Sequence, residues 1–137
     1  MITHLARVTI LVRDQDKALS FYTEKLGFEK RADVPLGATR WLTVAPVGQQ
    51  EVEIVLQQPD PAFHGEEGAK RMLERIGQST TWVLATDDCQ GDYERLSALG
   101  VTFASPPQRQ MYGLEAVLLD LYGNSFSLLQ APDGPST

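Results

Sequence analysis

Residues 12–29, VRDQDKALSFYTEKLGFE, run from the end of one strand through a capped helix and into the next strand. Asp14 or Asp16 supplies the side-chain oxygen that caps the first helical turn. Ala18, Leu19, Tyr22 and Leu26 recur at helical spacing on one face, and Gly27 permits the left-handed residue that stops the helix. A looser copy follows at residues 86–103, TDDCQGDYERLSALGVTF. Asp14 aligns with Asp88 and Leu26-Gly27 with Leu99-Gly100, offsets of 74 and 73 positions in a chain of 137. One module is therefore written twice, and a site is expected where the two copies meet.

Working outward, residues 6–13 carry β-branched Val8, Thr9, Ile10 and Val12 and read as the first strand. Both of its faces are largely apolar, as for a strand with helices on one side and a pocket on the other. Residues 28–34 and 40–45 read as strands around a Pro35-Leu36-Gly37 turn, and EVEIVLQ, residues 51–57, alternates as a third. Residues 58–65, with two prolines, read as a linker. Ala69, Met72, Leu73 and Ile76 place a short helix over 66–76.

The second copy repeats the order. A strand at 80–86 precedes a helix capped by Asp88, whose expected buried stripe is Cys89, Tyr93, Leu96 and Leu99. Strands follow at 101–104, 108–111, 115–120 and 125–130, with a Tyr122-Gly123-Asn124 turn before the last. The expected organisation is a single domain over 1–137: module one 1–57, linker and short helix 58–78, module two 79–130, and a loose tail 131–137.

A 42% hydrophobic and 22% charged composition is that of a globular chain able to bury a core. Twelve basic against eighteen acidic residues, a net charge of −6, argue against a nucleic-acid partner, which needs a basic face. The single cysteine, Cys89, excludes an intramolecular disulfide and a multi-cysteine metal site. A helix N-terminus lowers a thiol pKa, but the adjacent Asp87 and Asp88 push it the other way. MITHLARVTI lacks the features of a signal peptide and no window approaches a membrane span, so no membrane partner and a cytoplasmic setting are expected.

The doubled strand-helix-three-strand order, with VTILVRDQDKALSFYTEKLGFE in the first copy and YGLEAVLLDLYGNSFSLLQ closing the second, resembles the vicinal oxygen chelate superfamily. That group spans glyoxalase I, extradiol dioxygenases, fosfomycin-resistance transferases and bleomycin-resistance proteins. The resemblance implies an α+β fold of two tandem βαβββ modules, each a curved half-barrel sheet around a cavity with helices outside. It also implies a homodimer. It does not select an activity, because the scaffold hosts unrelated functions.

Metal-dependent members hold a divalent ion with four side chains, and those positions fall here at Arg7, Glu53, Thr81 and Ser127. Only Glu53 is a ligand of the usual kind: arginine has no lone pair to offer, and neutral hydroxyls do not replace imidazole or carboxylate. No metal and no cofactor are expected, and His4 and His64 read as surface histidines. The guanidinium of Arg7 is expected where the cation would sit, forked onto Glu53 and with donors left for a ligand. The same pair can equally be structural, since deleting one partner strands a partly buried charge.

Strand parity adds Thr9 and Leu11 to the wall of Arg7, and Val83 to that of Thr81; Trp41 and Thr43 alternate onto the first wall, and Met111 and Tyr112 stand near the cavity mouth. These ligand-binding candidates are apolar, small or hydroxylated, which suits a cavity lined for shape. The first expectation is a small-molecule binder that sequesters a drug or metabolite, as bleomycin-resistance proteins do. The alternative is a glyoxalase-like lyase or dioxygenase with an atypical metal site, or a metal-free enzyme with Glu53 as catalytic general base. Whether the chain is an enzyme is left open.

Overall fold

The computed structural model describes residues 1–37, 39–78 and 81–132. The chain divides into two compact units, Met1–Gly77 and Gln78–Thr137. Each is built on one curved four-stranded sheet with helices outside, the α+β architecture that the doubled pattern implies.

In the first unit the order is β1 (Arg7–Leu11), α1 (Gln15–Ser20), β2 (Phe28–Leu36), β3 (Thr39–Pro46), β4 (Glu53–Gln57), α2 (Pro61–His64) and α3 (Glu66–Arg75). The sheet runs β1-β4-β3-β2, with β1 parallel to β4 and the other pairs antiparallel. Asp14 is the cap: its backbone is extended and its carboxylate accepts the Lys17 N–H at 3.0 Å. Beyond Ser20 the helix widens into a π-helical turn over Phe21–Lys25, in which the Leu26 N–H reaches back five residues to Phe21 O at 3.2 Å. Phe21 and Tyr22 both lie in the core, rings edge-on with centroids 5.5 Å apart. Gly27, at φ +75°, ends the element as expected.

Ile10, Val12, Leu42, Val44, Ile54 and Leu56 form the buried core with Ala18, Phe21 and Tyr22. Gln15 is buried beside them, and its amide donates to Arg40 O at 3.0 Å and Leu56 O at 2.9 Å, tying the helix start to β3 and β4. Three readings need correction. Pro35 and Leu36 lie inside β2, which tolerates proline because it is a sheet edge. The supposed linker contains α2, started by Asp60, whose carboxylate accepts the Ala62 N–H at 2.9 Å. Leu73 of α3 is exposed, although Ala69 and Ile76 are buried.

The second unit repeats the plan with β5 (Trp82–Ala85), α4 (Cys89–Ala98), β6 (Thr102–Gln110), β7 (Gly113–Leu119) and β8 (Ser125–Gln130). Its sheet order, β5-β8-β7-β6, is that of the first unit, again with the first and last strands parallel. Asp88 caps α4 by accepting the Gly91 N–H at 3.0 Å. Cys89 and Leu96 are buried, but Leu99 is exposed where the helix ends. The two short strands expected at 101–104 and 108–111 are one edge strand, β6; Pro106 and Pro107 are absorbed by irregular register between Ser105 and Gln108. The β7–β8 turn is closed by Asp120, which accepts the N–H groups of Tyr122 and Asn124 at 2.8 and 2.9 Å. The loose tail expected at its end falls, from residue 133 on, outside the described residues.

Candidate functional site

In each unit one sheet face carries the helices, and strand alternation sends every second side chain to the other face. In the first unit the register aligns Arg7 with Glu53, Thr9 with Val55, and Leu11 with Gln57, and pairs Thr43 with Val55 across β3. By register all of these share one sheet face, opposite the one that carries Ile10, Val44 and Ile54 into the core. Arg7 Nε lies 3.4 Å from Glu53 Oε1, and the guanidinium carbon sits 5.4 Å from the centroid of Trp41. The pair is therefore one ion contact plus a cation–π contact, not the two-pronged fork the sequence suggested. Arg7 is about half exposed (47%) and Glu53 less so (24%), so the acid lies deeper than the cation that answers it. Thr43 is fully buried, and its Oγ1 has no hydrogen-bond partner among the described residues. Thr9 is exposed and Leu11 half-buried on the same face.

His64 is half-buried on α2. Its Nδ1 accepts the Asp60 N–H at 3.1 Å, and its Nε2 lies 3.0 Å from Gln57 Nε2. His4 is exposed. An open groove of about 600 Å³ lies elsewhere on this unit, lined by Arg13, Pro61, Glu66, Ala69, Lys70, Leu73 and Glu74; none of the sequence-derived site residues borders it.

In the second unit Val83 pairs with Ser127 in register and is exposed, whereas Ser127 is buried. Thr81 is exposed, its hydroxyl 2.6 Å from that of Ser125. Ser127 donates to Glu115 Oε2 at 2.5 Å, and Tyr112 donates to Glu115 Oε1 at 2.7 Å. The Ser127 hydroxyl first, and the Tyr112 hydroxyl second, hold the Glu115 carboxyl below its ordinary pKa against the opposing effect of burial. Glu115 in turn pushes the Tyr112 phenol upward. Met111 stands fully exposed at the β6–β7 turn.

Sequence reasoning missed Glu115. The signal was present in the turn: closing β7 on β8 around residues 120–124 opposes Val117 to Ser127 and Leu119 to Ser125. Glu115 then falls on the face of Ser127, one diagonal step away.

Arg7, Glu53, Thr81 and Ser127, where the resemblance would place metal ligands, offer a guanidinium, one carboxylate and two neutral hydroxyls. That donor set does not fit a divalent ion. Among the described residues no group of three or more His, Cys, Asp or Glu side chains is placed to hold one. No helix among the described residues is long and apolar enough to cross a membrane.

The fold is shared with known proteins. The chain is similar to UcmS2, whose crystal structure shares 44% identity and a TM-score of 0.85, covering 94% of this chain and 98% of that one. It is similar to TnmS3, an antibiotic binding protein from Streptomyces sp. CB03234, at 33% identity and a TM-score of 0.79, covering 96% of this chain and 98% of that one. It is 40% identical over 123 residues to the uncharacterized protein YurT of Bacillus subtilis (strain 168), covering 89% of this chain and 94% of that protein. A family profile matches residues 3–128. The chain belongs to the Glyoxalase/Bleomycin resistance protein/Dioxygenase superfamily.

Proposed function

We propose that this chain binds a small organic molecule on the helix-free faces of its sheets, without the divalent ion of its metal-dependent relatives, and sequesters it. The observation that carries this reading is the Arg7 guanidinium lying between Glu53 and Trp41 at the position where those relatives begin their ligand set. Among the described residues its Nη groups make no hydrogen bond, so they remain able to donate to an anionic or carbonyl group. Trp41 supplies a flat apolar surface beside them. The likeness to an antibiotic binding protein at 33% identity supports binding in preference to catalysis.

The ligand-facing residues in this reading are Arg7, Thr9, Leu11, Trp41, Thr43 and Glu53 on the first sheet. On the second sheet, taken by itself, the candidates are Thr81, Val83, Tyr112 and Ser127, with Met111 at its edge. Glu53 keeps a catalytic role only in the enzymatic alternative, where it would act as a base; its contact with Arg7 engages the carboxylate such a base needs free. The protein acts in the cytoplasm as a homodimer, since each sheet leaves two strand edges to be managed.

Two measurements test this. Elemental analysis of protein purified without chelator is expected to find far less than one transition-metal ion per chain. Fluorescence titration with anilinonaphthalene sulfonate, an anionic aromatic, is expected to show saturable binding that Arg7→Ala weakens. A stoichiometric metal ion that Glu53→Gln removes would overturn the proposal.

A further inference from the structure

The two sheets treat their acids differently. Glu53 is answered by Arg7 within its own sheet. Glu115 is answered by hydroxyls, which orient a carboxylate but do not cancel its charge. Its neighbours across the sheet are Gln108 on β6 and Leu129 on β8, and neither is a cation. None of the ion pairs formed among the described residues includes it.

A carboxylate offers about four lone-pair sites. Tyr112 and Ser127 take one on each oxygen, so each oxygen can accept another hydrogen bond. The two donors also fix the carboxylate plane before any ligand arrives, which reduces the ordering that binding requires. Val117 lies two residues along the same face, Leu129 opposite, and Val83 beside Ser127. The acid is thus flanked by apolar side chains suited to the body of an organic molecule.

We propose that Glu115, held by Tyr112 and Ser127, is the recognition group for a protonated amine on a small molecule bound against the second sheet. The proposal rests on the small-molecule reading and narrows its ligand to organic cations. An ammonium suits the position better than a metal ion, because one carboxylate and two hydroxyls that already donate to it fall short of the oxygen shell a divalent cation demands.

The test uses two probes with the same phenethyl body, the cation phenethylammonium and its neutral N-acetyl derivative, titrated by ligand-observed NMR at neutral pH. Wild-type protein is expected to bind the amine about tenfold more tightly than the amide, the scale of one charge-assisted hydrogen bond. Glu115→Gln is expected to erase that difference, and Tyr112→Phe to weaken the amine by a smaller factor. Circular dichroism checks that each variant folds. Should Glu115→Gln not fold, the wild-type salt series decides: amine affinity must fall with ionic strength while amide affinity stays level.

If the amide binds and the amine gains nothing, or Glu115→Gln loses nothing, this proposal is overturned while the small-molecule reading stands. If neither probe binds wild-type protein, both are overturned. Binding of manganese alone that Glu115→Gln abolishes overturns it in favour of a metal site.

Discussion

Arg7 and Glu53 face each other in parallel register on neighbouring strands, with Nε of one 3.4 Å from Oε1 of the other. The cation is half exposed and the acid is more covered. An ion pair so open to solvent contributes little to stability. Arg7→Ala is therefore expected to change unfolding free energy by less than about 1 kcal/mol, measured in urea. The same variant is expected to weaken anilinonaphthalene sulfonate binding about tenfold, because it removes both the charge and the contact with Trp41. Arg7→Lys keeps the charge without the planar group and should fall between the two. A variant that unfolds early and binds normally would make the pair structural.

Arg40 is held more firmly. Its guanidinium meets both oxygens of Asp33, at 3.0 and 2.9 Å, and Asp16 at the start of α1, at 2.5 Å. These contacts tie the helix start to the β2–β3 hairpin and keep the Asp33 carboxyl below its usual 3.8. Glu115 is likewise held below its usual 4.5. For both groups the unfolded chain takes up the proton first on acidification. Their stabilisation is thus complete above the unfolded values and is lost as pH falls through them towards the folded values. Urea midpoints measured from about pH 6 down to about pH 3 should decline, Arg40→Gln should flatten the lower part, and Glu115→Gln the upper part. A decline unchanged in both variants would place the acid sensitivity elsewhere.

Helix boundaries were legible because they depend on single residues with one physical job. Asp14 and Asp88 supply cap oxygens, and Gly27 and Gly100 adopt positive φ, whatever else the chain does. Register was harder. The split of β6 into two strands followed from Pro106 and Pro107, whose disruption an edge strand tolerates by slipping register, and edge position is not a local property. Phe21 lies three residues after Ala18, on the same regular helical face as Gln15 and Tyr22, so the spacing that named Ala18 and Tyr22 reaches it as well. Strand parity alone groups Arg7, Thr9 and Leu11 on one face, while Glu115 joins Ser127 only through the hairpin register around Asp120, which is not a local property.

Cys89 opens α4 yet is fully buried, with its Sγ donating to Leu128 O at 3.5 Å. Burial pushes its thiol above the ordinary 9.0, and Asp92, Asp88 and Glu115 add to that rise. The helix N-terminus does not prevail here. A disulfide reagent at neutral pH is expected to label native protein slowly and to react fully once urea unfolds the chain. Rapid stoichiometric labelling of the native state would contradict the burial.

Thr43 presents a hydroxyl where alternation and burial meet. It stands beside Val55 on the helix-free face of the first sheet, is fully buried, and has no hydrogen-bond partner for Oγ1 among the described residues. A desolvated hydroxyl without a partner is destabilising, and Thr43→Val removes it at almost the same shape. The variant is expected to unfold at higher urea, with a gain of about 1 kcal/mol. If the hydroxyl is kept for a ligand, that gain comes with weaker anilinonaphthalene sulfonate binding, opposite signs in free and bound protein. Arg7→Ala, by comparison, should alter binding with little change in stability, so the two variants separate a polar group retained for a ligand from one held in an exposed ion pair. A Thr43→Val protein that is less stable than wild type would mean the hydroxyl is satisfied in solution, by water held against the sheet.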